Sequence, residues 1–371
     1  MYVYTGSAWV PVATEDASQS AYLKIADSQP SFRNIIINGD MQITQRATSV
    51  ASLTTSGYRT ADRWNNSLSS LGTWTQSVEN DAPTGSGFRK SLKMLCTTAD
   101  ASPSAGDFHL IEQYIEGQNL QQIRKGTGSA QPLSLTFWVK ANVTGTYIVE
   151  LYDNDNSRTI SASYTISTSA TWEKKTITFS ADTTGVLDND NAASLNLGFW
   201  LGAGSTFTSG TLQTSWGSLT QANRAVGQTN LAAATNNYWQ ITGVQLEVGP
   251  IATPFEFLPA NLEFAACQRY FQIFDHLSML GGRSSTILET SIVWQIPMRA
   301  TPVLTALTAY NVYDAFGGGF TQSSANIGFA VNGGTSKGGF IALQNFTGLT
   351  QGRTYITNAA NSGSFSVSAE L

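Results

Sequence analysis

Trp138, Lys140, Glu150, Tyr152, Asn196 and Trp200 stand at every second position of three alternating stretches, residues 133–140, 147–153 and 195–201. Leucine, phenylalanine and valine fill the positions between them. Indole and phenol planes stack on flat apolar faces, and carboxylate, amide and ammonium groups at their rim fix hydrogen bonds. That combination suits a pyranose ring. It requires the three stretches to be sheet neighbours. The same aromatic face also suits packing against another subunit, which removes a sticky patch from water.

Reactive chemistry is poorly provided for. The two histidines, His109 and His276, fall in different predicted domains, and no Gly-x-Ser-x-Gly nucleophile elbow stands out. His109 opens an apolar strand and reads as a satisfied structural histidine. Cys96 and Cys267 are far apart and read as buried free thiols. No acidic pair occupies a recognisable catalytic setting for glycoside hydrolysis, so no catalytic residue is assigned and the chain is read as a non-enzyme. Residues 153–157 and 188–191 look like calcium loops, but an EF-hand spacing would need glycine and glutamate where Arg158 and Tyr164 stand. Polar hairpin turns are the expectation there. No metal site and no cofactor are assigned.

The elements that must position these groups read as β-structure. Charged residues make up only 12% of the 371 residues, against about 25% in an average soluble domain. Thr, Ser, Asn, Gln and Gly supply the polarity instead. Net charge is -5 with no basic stripe, which excludes a nucleic-acid groove. No apolar run is long enough to insert into a membrane, and residues 1–30 lack the pattern of a signal peptide. Residues 1–33 predict a short hairpin, with Tyr2, Tyr4 and Trp9 around a Thr5-Gly6-Ser7 turn, followed by a polar linker. Residues 34–258 predict about eight alternating strands, the pattern of an antiparallel jelly-roll sandwich. In residues 34–46 a strand is expected to break at Asn38-Gly39-Asp40 and cross between sheets, with glycine supplying a positive φ. After an apolar connector, Asn261 is expected to cap a short helix through Cys267. A smaller β-sandwich then fills residues 259–371, with strands at 289–297, 302–310, 327–331, 340–344 and 363–369. Gly317 to Gly319, Gly333-Gly334 and Gly338-Gly339 are expected to be flexible loop tips.

Several strings occur in a telling order: NIIINGDMQITQR at 34–46, GYRTADRW at 57–64, LTFWVKA at 135–141, TGVQLEVG at 242–249, ATPFE at 252–256 and CQRYF at 267–271. Together they resemble bacteriophage tail-fibre and related virion adhesion proteins, whose central domain is similar to a carbohydrate-binding-module jelly roll. The YTGSAWV string at 4–10 resembles fibre N-termini, while MRATP at 298–302 and the closing SAEL resemble the family's tail domain. The resemblance implies a tail fibre on the host-facing surface of the virion and a homotrimer. It implies that Tyr2, Tyr4 and Trp9 attach the arm to other tail or virion proteins, and that the partner outside is a host surface glycan. It also implies a structural calcium near Asp40, although Thr242 stands where such sites carry an aspartate. A tail or capsid decoration protein without a glycan site and a glycan-depolymerising tailspike are the alternatives. In the C-terminal domain the glycine-rich loops are a rival receptor site.

Overall fold

A computed structural model describes residues 2–4, 9–11, 32–275, 277, 279–315, 322–324, 326–357 and 363–371. The protein is almost wholly antiparallel β. In the arm, β1 (Tyr2–Tyr4) pairs with β2 (Trp9–Pro11), so that Tyr4 faces Trp9 in the register. The linker at 12–31 and His276 lie outside the described residues.

Eleven strands build the larger body. They are β3 (Ser49–Tyr58), β4 (Asn65–Glu79), β5 (Ser91–Thr98), β6 (Phe108–Glu116), β7 (Leu133–Ala141), β8 (Gly145–Asp153), β9 (Arg158–Ile166), β10 (Glu173–Phe179), β11 (Ala193–Ala203), β12 (Gly217–Ser218) and β13 (Tyr238–Val248). Their hydrogen-bonded path runs β10-β7-β13-β5-β4-β6-β11-β8-β9-β12. It folds into two layers because β4 bends in the middle. Residues 73–79 of β4 pair with β5, and residues 65–70 pair with β6. Gly72 makes the bend: its φ is +71°, and a Cβ there would stand 2.6 Å from the Thr98 carbonyl.

The first layer is β10-β7-β13-β5 and the end of β4. The second is the start of β4 with β6, β11, β8, β9 and β12. Period-two alternation sends Leu135, Phe137 and Val139 of β7 and Leu195, Leu197 and Phe199 of β11 into one core between them. The Phe137 and Phe199 rings meet edge to face at 5.1 Å. This is a jelly-roll sandwich. Four of these strands were not expected from the sequence: serines and threonines mute the alternation in β3, β4 and β9, whereas β5 carries a short alternating run at Leu92, Met94 and Cys96.

Residues 34–46 correct one expectation. They form no strand; they are an extended entry followed by a turn. Ile35 donates to the Leu246 carbonyl at 2.8 Å, and Val244 donates to Gly39 O at 2.9 Å. The positive φ values fall on Asn38 (57°) and Met41 (61°) rather than on the glycine. Asn38 tolerates this because its side chain accepts from Ile43 N and donates to the carbonyls of Ile43 and Asp62. Gly39 is needed for a different reason: a Cβ would lie 2.1 Å from Val244 O. Gly39→Ala is therefore expected to cost about 1–3 kcal/mol through forced backbone displacement. A shift of the urea midpoint at unchanged slope would measure it.

The connector leads to α2 (Ala260–Gln268); a one-turn α1 (Ser205–Thr208) precedes it in the chain. Pro259 occupies the cap position of α2 without a side-chain bond, so Asn261 is not the cap. The C-terminal body contains β14 (Phe271–Phe274), β15 (Leu280–Gly282), β16 (Leu288–Val293), β17 (Val303–Ala306), β18 (Tyr310–Asp314), β19 (Gln322–Ser324), β20 (Asn326–Gly334), β21 (Gly338–Gln344), β22 (Thr354–Thr357) and β23 (Phe365–Ser368). They form sheets ordered β14-β23-β17 and β19-β18-β22-β15-β16-β21-β20 over a second core that includes Leu280, Leu288, Trp294, Tyr310, Ile341 and Phe365. The expected strand at 302–310 is two elements, β17 and the start of β18. Gly333-Gly334 and Gly338-Gly339 are not loop tips; they lie in β20 and β21, with Gly334 opposite Gly339. Gly317 to Gly319 lie outside the described residues. The string Gly334-Thr-Ser-Lys-Gly338 has the nucleophile-elbow spacing, which the sequence reading overlooked. Here it is a hairpin turn between two strands, not a strand-to-helix elbow.

Candidate functional site

The six recognition candidates do not converge. β7 has β10 and β13 as its neighbours, whereas β8 and β11 lie in the other layer. Trp138 and Lys140 project from the outer face of the first layer. Glu150, Tyr152, Asn196 and Trp200 project from the outer face of the second, with the whole core between the two groups. The alternation expected within each strand is present, and β8 and β11 are direct neighbours as the reading requires; only β7, with Trp138 and Lys140, stands apart.

Trp200 is corrected further. It is fully buried, in a small separate core with Leu110, Ile148, Phe207 and Ala225. The chain between β11 and β13 supplies that cover. Phe207, on α1, lies 5.4 Å from the indole, and the Arg224 guanidinium lies 5.1 Å above it. The ring is therefore packed by its own chain and presents no stacking surface to a ligand.

What remains on the second layer is a set of cross-strand rows. Asn196 of β11 lies directly opposite Tyr114 of β6 on one side and Tyr152 of β8 on the other. Both tyrosines are half-buried. In the next row Gly198 is flanked by Glu112 and Glu150, and Asn65 of β4 lies beyond Glu112, with Tyr58 of β3 outside it. Cross-strand neighbours stand roughly 4.5–5.5 Å apart, so these groups form one continuous polar and aromatic strip.

The strip is internally organised. Tyr114 donates from its hydroxyl to Glu112 Oε1 at 2.7 Å, and Asn154 donates to Asn196 Oδ1 at 2.8 Å. Burial pushes the Glu112 carboxyl above its ordinary range, and the neighbouring Glu150 charge adds to this. Arg224 donates to both Glu150 oxygens, from Nε at 3.1 and 3.0 Å and from Nη2 at 2.7 Å, and lies 5.6 Å over the Tyr152 ring. A carboxylate pair thus exists here that the sequence reading did not find. Glu112 and Tyr114 were legible in FHLIEQYIE at 108–116, where they share the period opposite Ile111 and Ile115. Arg224 and Asn154 were not, because only the chain's return over the sheet brings Arg224 there.

The remaining sequence candidates have structural surroundings. His109 is fully buried, lies 4.4 Å from the Trp74 ring, and shares a hydrogen bond of 2.6 Å between Nε2 and Asn66 Oδ1. Burial pushes its pKa down to about 3, so it stays neutral. Cys96 and Cys267 are free and buried. Asp153 is buried in an ion pair with Lys125, and Asn156 donates to it. Asp40 lines a cavity of about 90 Å³ with Glu256 and Glu263, but no group of three or more His, Cys, Asp or Glu side chains that could hold a metal occurs among the described residues. Thr242 reaches only the Asp40 carbonyl, at 3.4 Å. Among the described residues no helix is long and apolar enough to cross a membrane.

No family model matches the chain, and no curated protein matches it. Among solved structures, the enzymatically active domain of tailspike protein 4 from bacteriophage CBA120 aligns at 15% identity and a TM-score of 0.32, over 59% of this chain and 22% of its own length. This chain thus spans about a fifth of that one. TmCBM61, solved with β-1,4-galactotriose, aligns at 9% identity and a TM-score of 0.30, over 58% of this chain and 99% of its own. The family 11 carbohydrate-binding module from Clostridium thermocellum, solved with a mixed-linked tetrasaccharide, aligns at 10% and 0.29, over 56% and 99%. At such identities nothing about ligands carries over to this chain.

Proposed function

We propose that this chain is a non-enzymatic bacteriophage virion protein, a tail fibre that attaches to host surface glycans along the outer face of its second layer. The observation that carries the binding reading is the Tyr114–Asn196–Tyr152 row backed by Glu112. Two half-buried phenol rings offer contact surface and hydroxyls at sugar-ring scale, held apart by the buried Asn196 amide, which is itself bonded to Asn154. The strip is already hydrogen-bonded, so little ordering is lost when a ligand settles on it. The phage assignment rests on the ordered strings that resemble virion adhesion proteins. In the same reading the fibre is a homotrimer, which multiplies weak sites into firm attachment, and the β1–β2 hairpin docks on other virion proteins.

The Glu112–Gly198–Glu150 row favours a second reading, glycan cleavage, because two carboxylates on one face are its minimal machinery. Against it, both Glu150 oxygens are occupied by Arg224. One experiment separates the readings. The full chain is applied to a glycan array, and bound glycans are then incubated and assayed for new reducing ends. Binding that falls at least about tenfold in Tyr114→Ala/Tyr152→Ala, the loss of about 1.4 kcal/mol of contact, with no new reducing ends, supports attachment. Undiminished binding by that variant defeats the site. Reducing ends that vanish in Glu112→Gln establish cleavage.

A further inference from the structure

We propose that the outer face of the first layer holds a second, independent site: a groove for an acidic oligosaccharide. An open groove of about 530 Å³ runs along β10 and β7. Its floor is a row of threonines, Thr136, Thr176 and Thr178, and its wall is the connector at 250–254. The wall is tied down. Thr178 donates to the Pro250 carbonyl at 3.3 Å, and Thr253 donates to both oxygens of Glu247, each at 2.7 Å.

Above the threonine floor on the same face lies Trp138, directly between Thr242 of β13 and Lys174 of β10. Trp172, which leads into β10, comes next to it on the diagonal. Its orientation is set by three contacts. Its Nε1 donates to Asp81 Oδ1 at 3.1 Å, Lys140 Nζ lies 5.1 Å from its ring, and Lys140 in turn pairs with Asp81. Both indoles are half-buried. Partial burial works to raise the Asp81 pKa, but the hydrogen bonds from Lys140 and Trp172 hold it below the ordinary range. Two indole rings, that of Trp172 held by these contacts, beside a row of hydroxyls suit a sugar chain lying along the strands.

Charge selects the class of sugar. Lys93, Lys140 and Lys174 share this face with two accessible carboxylates, Asp81 and Glu79, on a chain of net charge -5. Among the described residues neither Lys93 nor Lys174 meets a carboxylate within 4 Å. Lys93 Nζ lies 5.1 Å from the Tyr238 ring, and Lys174 is exposed at the head of the groove. The third acid of the face, Glu247, is enclosed by Thr253 and Arg33. Two ammonium groups without a close ion-pair partner, on the same face as the indoles, match a glycan bearing carboxylate or sulfate groups. The site uses none of the residues of the tyrosine strip and survives the failure of that assignment.

The test is electrophoresis of the full chain through gels containing polygalacturonate, hyaluronate, heparin or uncharged dextran. Retardation is expected by at least one acidic polymer and not by dextran, weakening as salt rises from about 50 to about 500 mM. Trp138→Ala/Trp172→Ala should reduce the apparent affinity at least about tenfold, and so should Lys93→Gln/Lys174→Gln. Thr176→Glu, at an exposed position that packs nothing, should block the groove while leaving the melting temperature unchanged. Absence of retardation by every acidic polymer overturns the proposal. So does retardation untouched by Thr176→Glu, retardation lost equally in Tyr114→Ala/Tyr152→Ala, or a mass measurement in which Trp138→Ala/Trp172→Ala dissociates an oligomer, which would make the face a contact between copies.

Discussion

Glu370→Ala should destabilise the docked arrangement of the two bodies by about 3–5 kcal/mol, the usual cost of removing one partner from a buried ion pair. Glu370 sits one residue from the C-terminal Leu371 and reaches into the jelly-roll body, where it pairs with Arg63 and, at 2.9 Å, with Arg46. Arg63 is 1% exposed. Burial works against its charge most strongly, but Glu370, Tyr270 and Tyr58 together outweigh it and hold the guanidinium more firmly protonated than usual. The guanidinium also stacks 3.5 Å from the Tyr270 ring centre and donates to the Tyr114 carbonyl at 2.6 Å. Without Glu370 that cation remains enclosed with no carboxylate beside it, left to the Tyr114 carbonyl, the Tyr270 ring and the Tyr58 hydroxyl. Neighbouring contacts would loosen too: Tyr58 donates its hydroxyl to Leu371 O at 3.1 Å, and Arg269 donates to Glu116 Oε1 and Oε2 at 2.8 and 2.7 Å. Calorimetry is the measurement. One coupled transition in the wild type should separate into two in Glu370→Ala, with Glu370→Gln intermediate because it keeps the shape and loses the charge. Superimposable traces for all three would mean that the bodies are not joined through this contact.

Trp200→Ala should cost about 3–5 kcal/mol, the range for emptying a large aromatic from a core. The indole fills the space under α1 and the Gln221–Asn223 turn, against Phe207 and Arg224. Its loss should free the segment at 204–226, which hydrogen-bonds to itself through Ala225 N to Phe207 O at 2.9 Å. Limited proteolysis of the folded variant should therefore cut within 204–226 before anywhere else in the jelly roll. Trp138→Ala offers the contrast. That half-buried ring belongs to no core, and its removal should cost no more than about 1 kcal/mol, the ordinary size for a single substitution. Equal destabilisation by the two substitutions would contradict the distinction drawn between the faces.

These two tryptophans show how far the residues speak for themselves. Both occupy the polar phase of an alternating strand, and from sequence both were assigned to one glycan face. The phase is a local property, set by the two-residue period of extended backbone, and the structure keeps it in β7, β8 and β11. Which strands share a face is not local. It follows from the bend at Gly72, which sends the two halves of β4 into different layers, and no residue of β7 or β11 encodes that event. The covering of Trp200 is likewise a long-range effect, since Phe207 and Arg224 arrive through a loop whose polar composition reads as turn. Gly39 is a smaller instance: its type was noticed, but its reason is the Val244 carbonyl some two hundred positions away. By itself, then, the sequence determined an antiparallel β-sandwich, the in-or-out sense of most side chains, and an apolar connector between two bodies, because these follow from periodicity and composition. Only the tertiary structure decided which polar groups stand together, pairing Tyr114 with Asn196 and Tyr152 and parting both from Trp138, because strand order is set by loop closure and core packing over the whole chain.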